Sequence, residues 1–231
     1  MKRCAIVGIG GLGAPAAALL AASAEAHLTL IDDDRVDLSN LPRQPLYGES
    51  DLGRAKVEAA AAGLSRHYPR LTIRTHIERL EPANADRLLA EADVILDGTD
   101  NLDTKILLNE IALRRRTPLV HAGVLGLDGQ LMSILPGESA CLRCLFVEHP
   151  ESDELPTCQQ AGILAPVVGA IGLAAAREAL YILRGTRPPL ADRFAILDGR
   201  RLRWRTLILR RRPQCVACGG LAIVAAHRED P

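Results

Sequence analysis

The chain has 231 residues, 48% of them hydrophobic, with 28 basic and 28 acidic side chains and a formal net charge of zero. That length is enough for one large α/β domain with a real core. Charge neutrality argues against a bulk electrostatic grip on nucleic acid, and 3% aromatic residues leave little for base-stacking platforms.

The first 26 residues, Lys2-Arg3 and then an alanine-rich apolar stretch, superficially resemble a secretory leader. Three spaced glycines inside that stretch and Asp32 beyond it point instead to a structured loop. Apolar, β-leaning runs follow at Cys4–Val7, Leu28–Ile31, Leu71–Ile73, Val94–Leu96 and Leu119–Val120. Between them lie helical patterns at Leu12–Ala22, Arg54–His67, Ala83–Ala90 and Leu102–Arg114. This alternation predicts a parallel sheet with helices on its faces. Leu131–Leu135 is a further strand, ended by Pro136-Gly137. The polar stretch 148–157 holds two prolines and reads as a loop. Ala161–Ala176 carries no charge over 16 residues. It is shorter than the roughly 20 residues of a membrane span, so a buried helix over about 163–183, stopped by Gly185, is expected. Phe194–Leu197 and Leu202–Leu209 then form an antiparallel pair joined around Asp198-Gly199. No internal repeat interrupts the chain. One domain over 1–231 is expected, with a nucleotide-binding half at 1–125 and a second half at 126–231.

Gly8-Ile9-Gly10-Gly11-Leu12-Gly13 joins the first strand to the first helix. Without a Cβ, Gly8, Gly10, Gly11 and Gly13 let backbone N–H groups approach a phosphate at a helix N-terminus. Pro15 suits the first turn of that helix. Asp32, about 20 residues on, stands where a carboxylate accepts hydrogen bonds from ribose hydroxyls. The combination predicts nucleotide binding and does not by itself choose the nucleotide.

Three further segments make that choice. They are Ser39-Asn40-Leu41-Pro42-Arg43-Gln44, Gly53-Arg54-Ala55-Lys56 and Asp97-Gly98-Thr99-Asp100-Asn101. In order and spacing they resemble the ubiquitin-activating superfamily. The likeness is greatest to the bacterial enzymes that adenylylate sulfur carriers in molybdopterin and thiamine biosynthesis (the HesA/MoeB/ThiF family), and it runs from about residue 4 to 219. The resemblance implies a Rossmann-type α/β fold with a mixed β-sheet, parallel in its N-terminal half and antiparallel in its C-terminal strands. It also implies a cytoplasmic homodimer that adenylylates the Gly-Gly terminus of a ubiquitin-like carrier with Mg-ATP. The C-terminal half would bind the carrier, and a sulfur donor would act in trans. No membrane or nucleic acid is expected as a partner.

The chemistry suits these residue types. A carboxylate attacks the α-phosphorus of ATP, so an anion approaches a polyanion and catalysis depends on positioning and charge neutralisation. Arg43 offers a planar fork and Lys56 a compact charge. Asp100 suits magnesium, a hard ion that prefers oxygen. Ser39, Asn40 and Asn101 complete the nucleotide set implied by the resemblance. Asp33 and Asp37 read as surface charges, while Asp34 has acidic counterparts in the family. An NAD-dependent oxidoreductase would use the glycines and Asp32 but leaves Arg43, Lys56 and Asp100 without a task. A non-catalytic scaffold is the other rival, because the N-terminal arginine that relatives extend into the partner subunit's site has no evident counterpart here.

Cys141-Leu142-Arg143-Cys144 and Cys215-Val216-Ala217-Cys218 are paired knuckles 70 residues apart. Four thiolates match a closed tetrahedral zinc site, while redox pairs or disulfides would use the same residues. The resemblance implies a structural zinc. Cys4 reads as a small buried hydrophobe. Cys158, just before the long helix, is a candidate for sulfur transfer that adenylylation itself would not need. The arginine-rich hairpin, Arg200 to Arg212, reads as a charge-protected edge or as a docking surface for an acidic carrier. His121 carries no assigned role.

Overall fold

The computed structural model describes residues 1–147 and 164–222. The stretch 148–157, the start of the long helix at 163 and Cys158 fall outside the described residues. Among the described residues eight strands form one sheet: β1 (Lys2–Val7), β2 (Ala26–Ile31), β3 (Ile73–His76), β4 (Val94–Asp97), β5 (Leu119–Leu125), β6 (Asp128–Ile134), β7 (Arg193–Asp198) and β8 (Arg203–Ile208). Their spatial order is β3-β2-β1-β4-β5-β6-β7-β8. The first five run parallel and the last three join antiparallel, as the sequence pattern predicts. Between β1 and β4 the chain reverses its direction of travel across the sheet, and ligands of open α/β sheets bind at such a switch point, beyond the strands' carboxyl ends.

Strands buried on both faces read as near-continuous apolar runs, and the Cys4–Val7 stretch of β1 shows the consequence. Its Cys4 and Ile6 enter one core cluster and its Ala5 and Val7 the other. The first cluster holds α1 (Gly13–Ser23), α2 (Lys56–His67) and α6 (Ala165–Leu183). The second holds α3 (Ala85–Leu88), α4 (Leu102–Arg115), α5 (Leu142–Leu145) and the four paired cysteines. Cys4 is fully buried.

Two elements differ from the pattern-based expectation. The third strand lies at 73–76 rather than 71–73. As the sheet's edge it carries Arg74 and Thr75, so apolar density is a poor guide to its position. The third helix shrinks to four residues. Helix α6 is long and apolar enough to cross a membrane by length and composition. Here Val167, Val168, Ile171, Ala175 and Ala179 place one side of it in the core. It packs so tightly on α1 that a Cβ on Gly172 would collide with the Leu12 carbonyl.

Candidate functional site

The glycine loop crosses the ends of β1 and β4 and is fixed before any ligand arrives. Gly8 has φ +84°, and a Cβ there would stand 2.8 Å from the backbone of Gly98. The Gly8 N–H donates to the Ile31 carbonyl and the Gly98 N–H to the Val7 carbonyl, each at 2.8 Å. The next residue is held by both of its backbone polar groups: the Ile9 N–H donates to Asp32 Oδ2 at 2.6 Å, and the Ile9 carbonyl accepts from the Tyr47 hydroxyl at 2.7 Å. No side chain caps α1, and its first turn holds no acid. The helix start thus has no side-chain partner, although the Ala14 N–H already donates to the Gly10 carbonyl at 2.9 Å, and an uncapped terminus of this kind favours an anion.

Asp32 also accepts the Asp34 N–H at 2.8 Å on its other oxygen. Each oxygen keeps a lone pair for a hydroxyl. Burial pushes its pKa up, partly offset by the charge of Lys56 and by the two N–H groups.

The Asn-Leu-Pro-Arg segment forms a 3-10 turn, Leu38–Arg43, capped by the Asp37 carboxylate accepting the Ser39 N–H. Asp37, read from sequence as a surface charge, is thus this turn's cap. The Ser39 hydroxyl also donates to Asp37, at 2.5 Å. Arg43 folds back on its own turn, donating to the Ser39 carbonyl at 2.9 Å and to Asn40 Oδ1. Gly11 touches this segment from behind, since a Cβ on it would meet the Arg43 carbonyl at 3.4 Å.

Lys56 opens α2 and is 4% exposed, yet its Nζ lies 2.6 Å from Asp34 Oδ2. A backbone bridge between Arg35 and Ala55 folds 54–56 back onto 34–36 and creates that pair. Asp34 is therefore the functional neighbour that sequence spacing did not single out.

The turn after β4 completes the crest. Asn101 caps α4 by accepting the Thr104 N–H at 2.9 Å. Asp100 is exposed and makes no hydrogen bond or ion pair among the described residues. Beneath it Asp97 is fully buried. Burial pushes its carboxyl up, but the charge of Lys105, with hydrogen bonds from His121 and Thr99, overcomes that and brings it down to about 2. Gly8, Gly10, Gly11, Gly13, Asp32, Ser39, Asn40, Arg43, Lys56, Asp100 and Asn101 thus all belong to the loops that cross or adjoin the strand ends.

The four paired cysteines converge in the second core cluster, with α4 and α5. Cys141 and Cys215 sulfurs are 3.7 Å apart, Cys144 and Cys218 3.4 Å, and Cys141 and Cys144 4.0 Å. Sulfurs at about 2.3 Å from a tetrahedral zinc stand about 3.8 Å from one another. A disulfide requires about 2.05 Å, and all four cysteines are free thiols. The Arg212 N–H donates to Cys144 Sγ at 3.4 Å, support of the kind a thiolate uses. Burial and the neighbouring thiols push Cys141 up, a burden that a divalent cation would remove. The donor set fits zinc, with no position left for a catalytic water.

A model of the ThiF family matches residues 1–217 of this chain. The chain is 39% identical to the sulfur carrier protein ThiS adenylyltransferase of Escherichia coli (strain K12) over 216 residues, 93% of this chain and 85% of the relative. It is 36% identical to the SAMP-activating enzyme E1 of Haloferax volcanii over 218 residues, covering 94% and 80% of the two chains. The adenylyltransferase and sulfurtransferase MOCS3 of Drosophila sechellia is 38% identical over 220 residues, and there the chain spans 49% of the relative's length. Among solved structures, E. coli MccB crystallised with ATP superposes with a TM-score of 0.83 over 94% of this chain and 67% of its own, at 21% identity. That likeness is one of fold. With glycine loop, Arg43, Lys56 and Asp100 gathered on one crest, and with a family match from the first residue to the second cysteine knuckle, the chain belongs to the ThiF family.

Proposed function

We propose that this chain is an adenylyltransferase that uses ATP to activate the C-terminal carboxylate of a small ubiquitin-like sulfur-carrier protein. The observation that carries this reading is the packing of the Asp97–Asn101 turn directly on the glycine loop. It sets the Asp100 carboxylate, unpaired among the described residues, beside the glycine loop and the uncapped start of α1. The two relatives matched over most of their length, a ThiS adenylyltransferase and a SAMP-activating enzyme, support the substrate class.

In this reading the uncapped start of α1 and Gly8, Gly10, Gly11 and Gly13 cradle the phosphates, and Asp32 receives the ribose hydroxyls. Arg43 and Asn40 leave their mutual contact to meet the triphosphate, with Ser39 and Asn101 lining the approach. Lys56, preset by Asp34, stands beside the polyanion. Asp100 would hold magnesium, which supplies charge neutralisation at the phosphates and keeps most of its waters. A carrier carboxylate oxygen forms a bond to the α-phosphorus as the bond from that phosphorus to the bridging oxygen breaks. Pyrophosphate departs with the electron pair, and no proton transfer is needed. Residues 1–125 carry this chemistry and 126–231 the carrier. The zinc held by Cys141, Cys144, Cys215 and Cys218 is structural. Cys158 remains a candidate for later sulfur transfer from a donor in trans, and a cytoplasmic homodimer is the expected assembly.

The deciding experiment is ATP–pyrophosphate exchange by the purified protein with a Gly-Gly-ended carrier. Exchange that requires the carrier and disappears when its last glycine is removed is the expected result. ATP binding without exchange, across carriers of this type, would leave only a scaffold.

The far edge of the sheet offers the carrier a surface. Every residue of β8 is exposed, including Trp204 at 47% and Ile208 at 74%. Arg203 and Arg205 share one of its faces, while Arg201 lies in the preceding turn with Asp198. An acidic carrier docking here should lose affinity on Arg203→Glu/Arg205→Glu. The expected change is a KM for carrier raised roughly tenfold, with the KM for ATP unmoved, as removal of binding shared by ground and transition states requires. An unchanged carrier KM would return the arginines to edge protection.

A further inference from the structure

Three ionisable side chains meet on the α4 side of the sheet, beneath the turn that presents Asp100. Asp97 ends β4, Lys105 comes from α4 and His121 from β5; they are 0%, 7% and 1% exposed. Lys105 Nζ lies 3.1 and 3.2 Å from the two Asp97 oxygens and donates to the Ala122 carbonyl at 2.7 Å. His121 Nδ1 is 2.9 Å from Asp97 Oδ2, across the β4–β5 register that pairs the two residues. On the other side, Asp97 Oδ1 accepts the Thr99 N–H at 3.0 Å and the Thr99 hydroxyl at 2.7 Å. One carboxylate thus ties together β4, β5, α4 and the turn whose next residue is Asp100.

Stability alone is a poor reason for such a cluster. Removing two charges from water costs several kcal/mol per ion, and apolar residues of similar volume often pack as well or better. A fully hydrogen-bonded carboxylate does give something apolar packing does not, a fixed direction for every group it accepts from. Here those groups include both donors of Thr99, its N–H and its hydroxyl.

We propose that Lys105 and His121 are positioning residues for the adenylylation step, holding Asp97 so that Thr99, and with it Asp100, stands at one place above the glycine loop. The inference rests on Asp100 working at the phosphates. Lys105 cancels the charge of Asp97, and burial keeps His121 neutral, its pKa lowered despite the carboxylate beside it. Its Nδ1–H therefore donates to Asp97, while Nε2 is buried with no hydrogen-bond partner among the described residues. Among the described residues, the charged groups facing His121 are Asp97 of β4 and Lys105 of α4, and its neighbour on β6 is Met132.

A particular signature follows from this arrangement. Lys105→Met leaves Asp97 a buried anion with only the imidazole and the two Thr99 donors beside it, and no cation. The imidazole's proton affinity then rises, and the imidazolium takes over the lost charge as pH falls.

The test is carrier-dependent ATP–pyrophosphate exchange from about pH 6 to about pH 9, the range that histidine titration spans. Lys105→Met should lower kcat roughly 100-fold at the alkaline end, the scale of a misplacement of about 1 Å, with the KM for ATP little changed. The deficit should shrink on acidification. Lys105→Met/His121→Phe should show no such recovery, and Lys105→Arg should restore most of the activity. A deficit independent of pH, or one no smaller in Lys105→Arg, would overturn the proposal. If Lys105→Met fails to fold, Thr99→Val reads the same link without stranding a charge: a reduced kcat at constant KM for ATP is expected, and an unchanged kcat overturns it. Asp100→Ala separates the two layers. Exchange that survives in Asp100→Ala removes the underlying assignment, whereas a dead Asp100→Ala beside a fully active Lys105→Met removes only this inference.

Discussion

Replacing Asp100 with alanine should lower carrier-dependent ATP–pyrophosphate exchange by roughly 100- to 1,000-fold, the range seen when one preorganised electrostatic group is deleted from an active site. The side chain is exposed and makes no hydrogen bond or ion pair among the described residues, so its loss breaks no polar contact there. Thermal unfolding of Asp100→Ala should accordingly match wild type, since exposed substitutions that break no contact change stability by about 0.5 kcal/mol or less. Nucleotide affinity without magnesium should also persist, because the glycine loop is held by Asp32, Tyr47 and Gly98 rather than by this residue. Exchange kinetics, calorimetric ATP binding with and without magnesium, and a melting curve check the three expectations. Full exchange activity in the mutant would remove Asp100 from the chemistry. A large drop in melting temperature would instead make it a structural residue.

Loss of the four-cysteine centre should produce the largest change in stability. The purified protein is expected to contain about one zinc per chain, as a closed four-thiolate site requires. Cys144→Ser should abolish it, because this sulfur stands 3.4 Å from Cys218 and accepts the Arg212 N–H. Zinc binds the native arrangement and so adds to folding stability, by about 4 kcal/mol when free metal stands a thousandfold above its dissociation constant. Chelation should reproduce the mutant's melting temperature in wild type and leave Cys144→Ser unmoved. The effect should also reach α4, since the Leu142 N–H donates to Asn109 Oδ1 at 2.9 Å and both groups are buried. Metal analysis beside differential scanning calorimetry decides the matter. A zinc-free wild type of undiminished stability would assign the cysteines another role.

What could be read from the sequence was whatever chemistry is carried by residues close together in the chain. Gly8 to Gly13 follow one strand and start one helix, so local pattern suffices to place them. The Cys-x-x-Cys pairs announce themselves by composition, although only the fold brings Cys141 within 3.7 Å of Cys215. Groups whose partners come from other elements were much less legible. Asp34 meets Lys56 because a bridge between Arg35 and Ala55 turns the chain back, and no periodicity marks a bridge of one residue pair. His121 looked idle because its partner, Asp97, is reached across the β4–β5 register rather than along the chain. The third strand was misplaced by two residues because an edge strand needs no apolar face, and Arg74 and Thr75 hide it.

The strand order also sets when this site can exist. β1 and β4 pair Cys4 with Val94 and Val7 with Asp97, so the glycine loop and the Asp100 turn meet only after a stretch of some 90 residues has closed. Closing so long a segment is entropically slow compared with forming the β7–β8 hairpin, whose strands follow one another directly. On the ribosome the same geometry means that a nascent chain ending before β4 has the loop, Asp32 and Lys56 but no wall opposite them. Nucleotide can therefore first reward folding only once β4 has emerged and inserted beside β1, and from that moment it favours the central parallel strands over any collapsed alternative.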